Sequence, residues 1–389
     1  MFSFEHLPFF DNHTHNIQTQ NHVLEPLDLV LAFIHGYGDI PDAQGHKMEG
    51  SRGKQWCSPQ YAQHVRNTGA AKTLIHLLSQ KFGCEPTLEA VAAERNKRSS
   101  VDMFGYASEL YKEANVLAEM VDSGVPWGDD SLNCFPARIL RLFQMDPKFD
   151  ELFAKCGGFE ELKDAFDAEV RHALAQGFAG VKCHVFERLT QHPHKVDDAR
   201  AASLYAAAKA GDAIALEDVY LAIFAHALIL TQELNFPIHI HTGCTGNPGN
   251  GLIGNCDPYT IVPFLQDDRF YRANIVFLHA NYPDIEHAAL LTHSFPNVWI
   301  DLSWTLPWTS LSFSRSIEEA LGICPHDKLM FGTGQHHHPE MVWMASKIAK
   351  SSLEYVLEKA VNTNLLSKPQ ALETAEQLLY KNAVRLYKL

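Results

Sequence analysis

Two histidines spaced two apart, His13 and His15, close the run Leu7-Pro8-Phe9-Phe10-Asp11-Asn12-His13-Thr14-His15. The apolar, aromatic-rich start of that run reads as a short buried strand. Residues i and i+2 of an extended chain point the same way, so both imidazoles can be offered to one point at the strand's end. Neutral imidazole is a good zinc ligand, and two converging rings are half of a tetrahedral shell. A lone His-X-His pair arises by chance and is weak evidence. Here the pattern recurs: His239 and His241 have the same spacing before Thr242-Gly243, and His279 ends another apolar run. Asp122, Lys182, His184 and Asp301 stand at the ends of further runs. Taken singly, His241 or His279 is most often a hydrogen-bonded structural residue. Four histidines in equivalent places favour a metal site, with His13, His15, His241 and His279 as ligands. His239 is then surplus, and orients its neighbour or contacts substrate. Lys182 has three candidate roles: a carbamate bridging two metals, an ammonium that binds a substrate carboxylate, or a salt bridge to an aspartate.

The elements that must carry these residues alternate. After the first strand, about a hundred residues from Asn16 to Lys112 have helical character, with apolar residues at helical spacing over Ala70 to Phe82 and Thr87 to Ala93. A connection of that length carries its own structure. The expected organisation is a barrel formed by 1–15 and 113–389, with a helical insertion over 16–112 covering its mouth. Within the insertion, Arg95, Lys97 and Arg98 either reach an anionic substrate or form a solvated helix face. From Asn115 onward, strand candidates run Asn115 to Val121, Ala137 to Leu142, Gly180 to His184, Pro237 to His241, Ile275 to His279, Val298 to Leu302 and Leu329 to Thr333. Helical patterns separate most of them, which implies a parallel sheet, and eight such units close most naturally into a (β/α)8 TIM-like barrel of the α/β class. In a parallel barrel the C-terminal strand ends share one mouth, where the chemistry is done.

Composition sets outer bounds. The 389 residues are 46% hydrophobic and 20% charged, as in a globular protein able to bury a substantial core. A formal charge of -14 argues against a nucleic-acid surface. No run reaches the roughly 18 uncharged apolar residues of a membrane span, and no leader pattern opens the chain, so a cytoplasmic location is expected. Eight cysteines without a pairing rhythm point to reduced thiols. The expected partner is a small-molecule substrate, with neither nucleic acid nor membrane, and the sequence leaves room for a homo-oligomer.

In order and spacing, these residues resemble the amidohydrolase superfamily, and most closely its amidohydrolase-2 branch, which includes the domain of nodulin-like proteins and of proteins fused to glutamine synthetase-like domains. The resemblance runs from Asp11-Asn12-His13-Thr14-His15 through Val121-Asp122-Ser123-Gly124, Arg138-Ile139-Leu140-Arg141 and Gly180-Val181-Lys182, with Arg188 six residues on. It continues through Pro237 to Gly243, Leu278-His279-Ala280-Asn281-Tyr282-Pro283, Asn297 to Ser303, Pro339-Glu340 and Asn382 to Tyr387. It implies a TIM-like barrel holding one or two divalent ions, usually zinc, that activate water for attack on an amide, ester or related bond. His13, His15, His241 and His279 fall on the family's histidine positions. Zinc would lower the pKa of bound water toward about 7 and polarise the scissile carbonyl. Arg188 can hold a substrate carboxylate with two parallel bonds or form a structural salt bridge to Glu187 or another acid.

One position departs from the family. The resemblance implies an aspartate at the end of strand eight that touches metal and moves the water's proton; the run here is Thr333-Gly334-Gln335-His336-His337-His338. Glycine can neither ligate nor accept a proton. His336, by its ordinary pKa near 6.5, is the first substitute, followed by Asp301. The leading reading is a metal-dependent hydrolase of an amide-type C–N bond in a small carboxylate-bearing metabolite, with Lys182, Arg188 and His239 on the substrate. A decarboxylase or uronate-isomerase-like enzyme is the second. A barrel that binds metal or ligand without turnover is the third, and Gly334 is its evidence. Restoring an acid by Gly334→Asp is the sequence-level test among them.

Overall fold

A computed structural model describes residues 2–15, 17, 23–27, 29–30, 59–124, 130–243, 256–334 and 338–389. Eight parallel strands pair in chain order: β1 (Phe9–Thr14), β2 (Val116–Val121), β3 (Arg138–Gln144), β4 (Gly180–Cys183), β5 (Ile238–His241), β6 (Ile275–Leu278), β7 (Val298–Asp301) and β8 (Leu329–Met330). The fold is a (β/α)8 barrel. Such strands bury both faces, so they are written as near-continuous apolar runs rather than as alternations; β1, β4, β6 and β7 are buried at every position. Beyond β8 the chain stays alongside β1, where Asn12 N–H donates to Phe331 O at 3.0 Å and Gly334 N–H to His13 O at 2.7 Å.

Between β1 and β2 the described residues form helices α1 (Pro59–Val65), α2 (Gly69–Phe82), α3 (Leu88–Ser99) and α4 (Met103–Ala114). The local signals are plain: Thr68, Thr87 and Asp102 accept backbone N–H bonds at the N-termini of α2, α3 and α4. Asn115 ends α4 in the left-handed region and closes it with backbone bonds. It is therefore a helix cap, and β2 begins one residue later than the apolar run suggests.

Arg95 answers to neither of its two expected roles. It is wholly buried and donates from Nε to Glu340 Oε1 at 2.9 Å, and Tyr106 Oη donates to the same oxygen at 2.9 Å. Lys97 is exposed and pairs with Glu94, while Arg98 lies over the Phe82 ring and bonds its carbonyl.

The chain divides into two compact units, residues 1–139, 302–319 and 329–384 in the first, and 140–301, 320–328 and 385–389 in the second. In the second unit, β3 is followed by α5 (Met145–Lys155) and α6 (Phe159–Gln176), β4 by α7 (Asp198–Lys209) and α8 (Ala213–Leu234), and β6 by α9 (Ile285–Ser294). Helix α8 is long and apolar enough to cross a membrane by length and composition, but Glu217 and Asp218 break its uncharged run and most of it is buried. Its Asp218 carboxylate is buried and paired with Arg200 and His194, as in a core helix. Helix α10 (Phe313–Leu321) precedes β8, and in the first unit α11 (Pro339–Asn362) follows it.

Candidate metal centre

In the first unit, β1 and the residue that follows it bring His13 and His15 to one place. The nearest donor atoms of His13, His15 and Asp122 all lie within 4.8 Å of one another. The rings of His13 and His15 are 4.8 Å apart and near perpendicular, at 73°. His13 and Asp122 are buried; His15 is half-buried, and its Nδ1 lies 3.0 Å from the Asp122 carbonyl oxygen. Two imidazoles and a carboxylate are a donor set for a borderline divalent ion. Bonds of about 2.0–2.2 Å place the donors of a tetrahedral shell about 3.4 Å apart, so these side chains must close in somewhat to share an ion. Asp122 carried no metal role in the sequence reading. Its position at the end of β2, beside the strand carrying His13 and His15, was the available signal.

Asp11 fixes the β1 end from below. Its carboxylate accepts Thr333 N–H at 2.8 Å, Thr333 Oγ1–H at 2.6 Å and His13 N–H at 3.3 Å, which ties the segment after β8 to the histidine strand. Next to it Glu119 is fully buried and accepts from Tyr111 Oη at 2.9 Å. Burial first, and then the charge of Asp11, push the Glu119 carboxyl well above its ordinary range. Gly334 has φ 57°, and a Cβ there would stand 3.0 Å from the N, Cα and Cβ of Trp304. The glycine that replaces the expected acid thus occupies a backbone conformation and a crevice that a side chain fills only with strain.

In the second unit, Lys182 is buried on β4 opposite His239 on β5. His239 Nε2 lies 3.0 Å from Tyr387 Oη, and its ring stacks on that tyrosine. His241 is two residues further, and its ring centroid is 4.5 Å from that of His279. His279 reaches there through an unusual backbone: His279, Ala280 and Asn281 have φ of 67°, 45° and 59°. The turn is held by His279 N–H on Asp301 Oδ1 at 3.0 Å and by Asn281 N–H on Thr242 Oγ1 at 2.9 Å. Gly243 backs onto it so closely that a Cβ would stand 2.5 Å from the Asn281 carbonyl carbon. Asp301, expected as a substitute base, thus has one oxygen occupied in positioning His279.

His184, which the sequence reading left without a role, and Glu187, weighed there only as a partner for Arg188, also lie in the second unit. Asp146 Oδ2 accepts from His184 N–H at 2.8 Å and lies 2.9 Å from its Nδ1, while Oδ1 accepts Tyr220 Oη–H at 2.5 Å. Burial opposes the charge of Asp146, but His184, Tyr220 and Arg188 hold its carboxyl below the ordinary value. Arg188 is bound bidentately by Asp150, at 3.1 and 2.5 Å, and lies over the Phe149 and Tyr220 rings. Of the two roles weighed for it, the salt bridge is the contact seen, with Asp150 rather than Glu187. His336 lies outside the described residues.

A family model described as amidohydrolase matches residues 135–389. Over 156 residues the chain is 32% identical to the protein fluG of Emericella nidulans, a match that takes in 40% of this chain and 18% of that protein. The chain therefore corresponds to under a fifth of that relative's length. Among solved structures, a Lactobacillus casei protein described as a metal-dependent hydrolase superposes with a TM-score of 0.80 at 17% identity, over 100% of this chain and 98% of that one. Uronate isomerase of Thermotoga maritima gives 0.66 at 15% identity, over 98% and 95%. At these identities the two structures attest the fold.

Proposed function

The chain belongs to the amidohydrolase family of metal-dependent enzymes, and on that premise we propose that it hydrolyses an amide-type C–N bond in a small, carboxylate-bearing metabolite, with zinc as its ion. The observation that carries the reading is the convergence of His13, His15 and Asp122 donor atoms within 4.8 Å. In the second unit His241 and His279 are a neighbouring pair of candidate donors, their ring centroids 4.5 Å apart. Once bound, the ion supplies Lewis-acid polarisation of the scissile carbonyl and of water. The chain's own residues do the rest. Asp11 and Asp301 fix the backbones of His13 and His279, so the rings are placed before any ligand arrives. Lys182, buried on β4, offers a cation to the substrate's carboxylate, or a carbamate that bridges two ions. Arg188 acts at one remove, because its guanidinium is held by Asp150. His239 is held by Tyr387, and under this reading it orients its neighbour or contacts substrate. The proton-accepting role falls to His336 or Asp301.

A metal-dependent decarboxylase or isomerase is the second reading, favoured by Gly334, since the expected strand-eight acid is missing and its crevice is closed by Trp304. Metal analysis of protein purified from metal-replete medium tests the shared premise. About one ion or more per chain is expected, lost in the His13→Ala, His15→Ala double variant. Only trace metal in the parent would overturn it.

A further inference from the structure

Trp304 stands in a conformation that a bulky residue rarely adopts. Its φ is 62° and its ψ −47°, and Thr305 N–H donates across it to Ser303 O at 2.6 Å. This is a three-residue turn of the strained kind, and a true outlier for a large side chain. The turn is held on both sides: Trp304 N–H donates to Thr333 O at 3.2 Å, and Thr305 Oγ1 to Leu302 O at 3.0 Å, with Ser303 and Thr305 wholly buried. Strain of this kind persists only where the surroundings impose it, and it gathers at binding and catalytic sites.

The indole is not placed as a core residue. Trp299 and Trp343 are 4% and 3% exposed, whereas Trp304 and Trp308 are half-buried, their ring centroids 4.0 Å apart at 46°. Glycine would make the same turn without strain. Neither backbone nor burial therefore accounts for tryptophan at this position, and its location does. Thr333, which accepts from Trp304, binds the Asp11 carboxylate through its own N–H and hydroxyl, and Asp11 accepts His13 N–H. Gly334 lies against Trp304 on one side, where a Cβ would stand 3.0 Å from it, and donates to His13 O at 2.7 Å on the other. All of these residues belong to the first unit, as do the His13, His15 and Asp122 donors.

An aromatic face takes either a cation or another ring. The neighbouring donor set, once it holds a divalent ion, repels a cationic group, so an uncharged ring is the better occupant. We propose that Trp304, backed by Trp308, is a specificity-determining residue, and that its half-buried ring is the face on which an aromatic group adjoining the substrate's amide stacks. The proposal rests on the hydrolase reading above and narrows it, from small carboxylate-bearing amides in general to those with an aromatic ring next to the amide.

The test uses the full-length, zinc-loaded protein and two probes that differ only in the acyl group, N-benzoylglycine and N-acetylglycine, with affinities read by isothermal titration calorimetry. The parent should bind N-benzoylglycine about tenfold or more tightly than N-acetylglycine, from ring stacking together with the apolar area covered. Trp304→Gly and Trp304→Asn both suit a positive φ and lack the ring. Whichever of them folds, by circular dichroism, should bring the preference to within about twofold while changing N-acetylglycine affinity by less than about threefold. Trp304→Phe keeps a ring and should retain most of the preference. A parent that holds zinc but binds the two probes equally, or binds neither, overturns this proposal and leaves the metal-dependent reading standing. So does a preference that survives in the ringless variants. A parent that takes up no zinc overturns both.

Discussion

Position 334 offers a sharp test, because the side chain that could restore the family's acid is the one the backbone excludes. Gly334 has φ 57°, and a Cβ built there meets three Trp304 atoms at 3.0 Å. The left-handed conformation costs a residue with a Cβ roughly 1–2 kcal/mol. Forcing one carbon into an occupied crevice adds roughly 1–3 kcal/mol, since the atoms in the way include Trp304 backbone and cannot swing aside. Gly334→Ala should therefore lose about 2–5 kcal/mol of stability, measured from urea unfolding of parent and variant followed by circular dichroism. Gly334→Asp should lose at least as much, and should not gain hydrolysis, because its Cβ is aimed at Trp304. The comparison of the two isolates the carboxylate from the strain. A Gly334→Ala protein within about 0.5 kcal/mol of the parent, or a Gly334→Asp protein with a large gain in activity, would refute the account of why glycine stands there.

Two further outcomes follow from buried charges in the first unit. Glu119 is pushed well above its ordinary 4.5, so the folded protein keeps it neutral where the unfolded chain has already ionised. Its contribution is full below pH 4.5 and is lost as pH rises above that value. Glu119→Gln, which keeps an acceptor for Tyr111, should thus gain stability over the parent progressively above pH 4.5 and show no gain below it; equal pH slopes in paired unfolding curves would count against this. Arg95→Met should cost about 3–5 kcal/mol in thermal or urea unfolding, because it strands the buried Glu340 carboxylate. The double change Arg95→Met, Glu340→Gln should recover part of that loss, and a double variant no better than the single would show that packing rather than charge is at stake.

The barrel strands were legible because they are buried on both faces: Ile275–Leu278 is apolar throughout and is followed at once by His279, and Val298–Asp301 is apolar up to its closing Asp301. The histidines were legible for the same reason. The contacts that specialise the site were not, because they depend on partners chosen by the fold. Arg95 looks like one charge among several on a polar helix, and only its pairing with a residue 245 positions away shows it to be buried. Glu187 is one acid in a loop until β5 brings His241 against it. Arg188 announced a guanidinium correctly, but Asp150, in a preceding helix, decides what it holds. At Gly334 the sequence showed what was missing, and the Trp304 backbone shows what is there instead.

The left-handed run His279-Ala280-Asn281 bears on any effort to move this centre to another protein. Each such residue carries a conformational cost of roughly 1–3 kcal/mol, sustained here by Thr242, Asp301 and the bare backbone of Gly243. The ring's direction is therefore set by main chain rather than by choice of rotamer. A histidine grafted alone at the sixth strand end of a different parallel barrel would aim elsewhere, and a faithful transplant must carry the loop and the threonine and glycine that brace it.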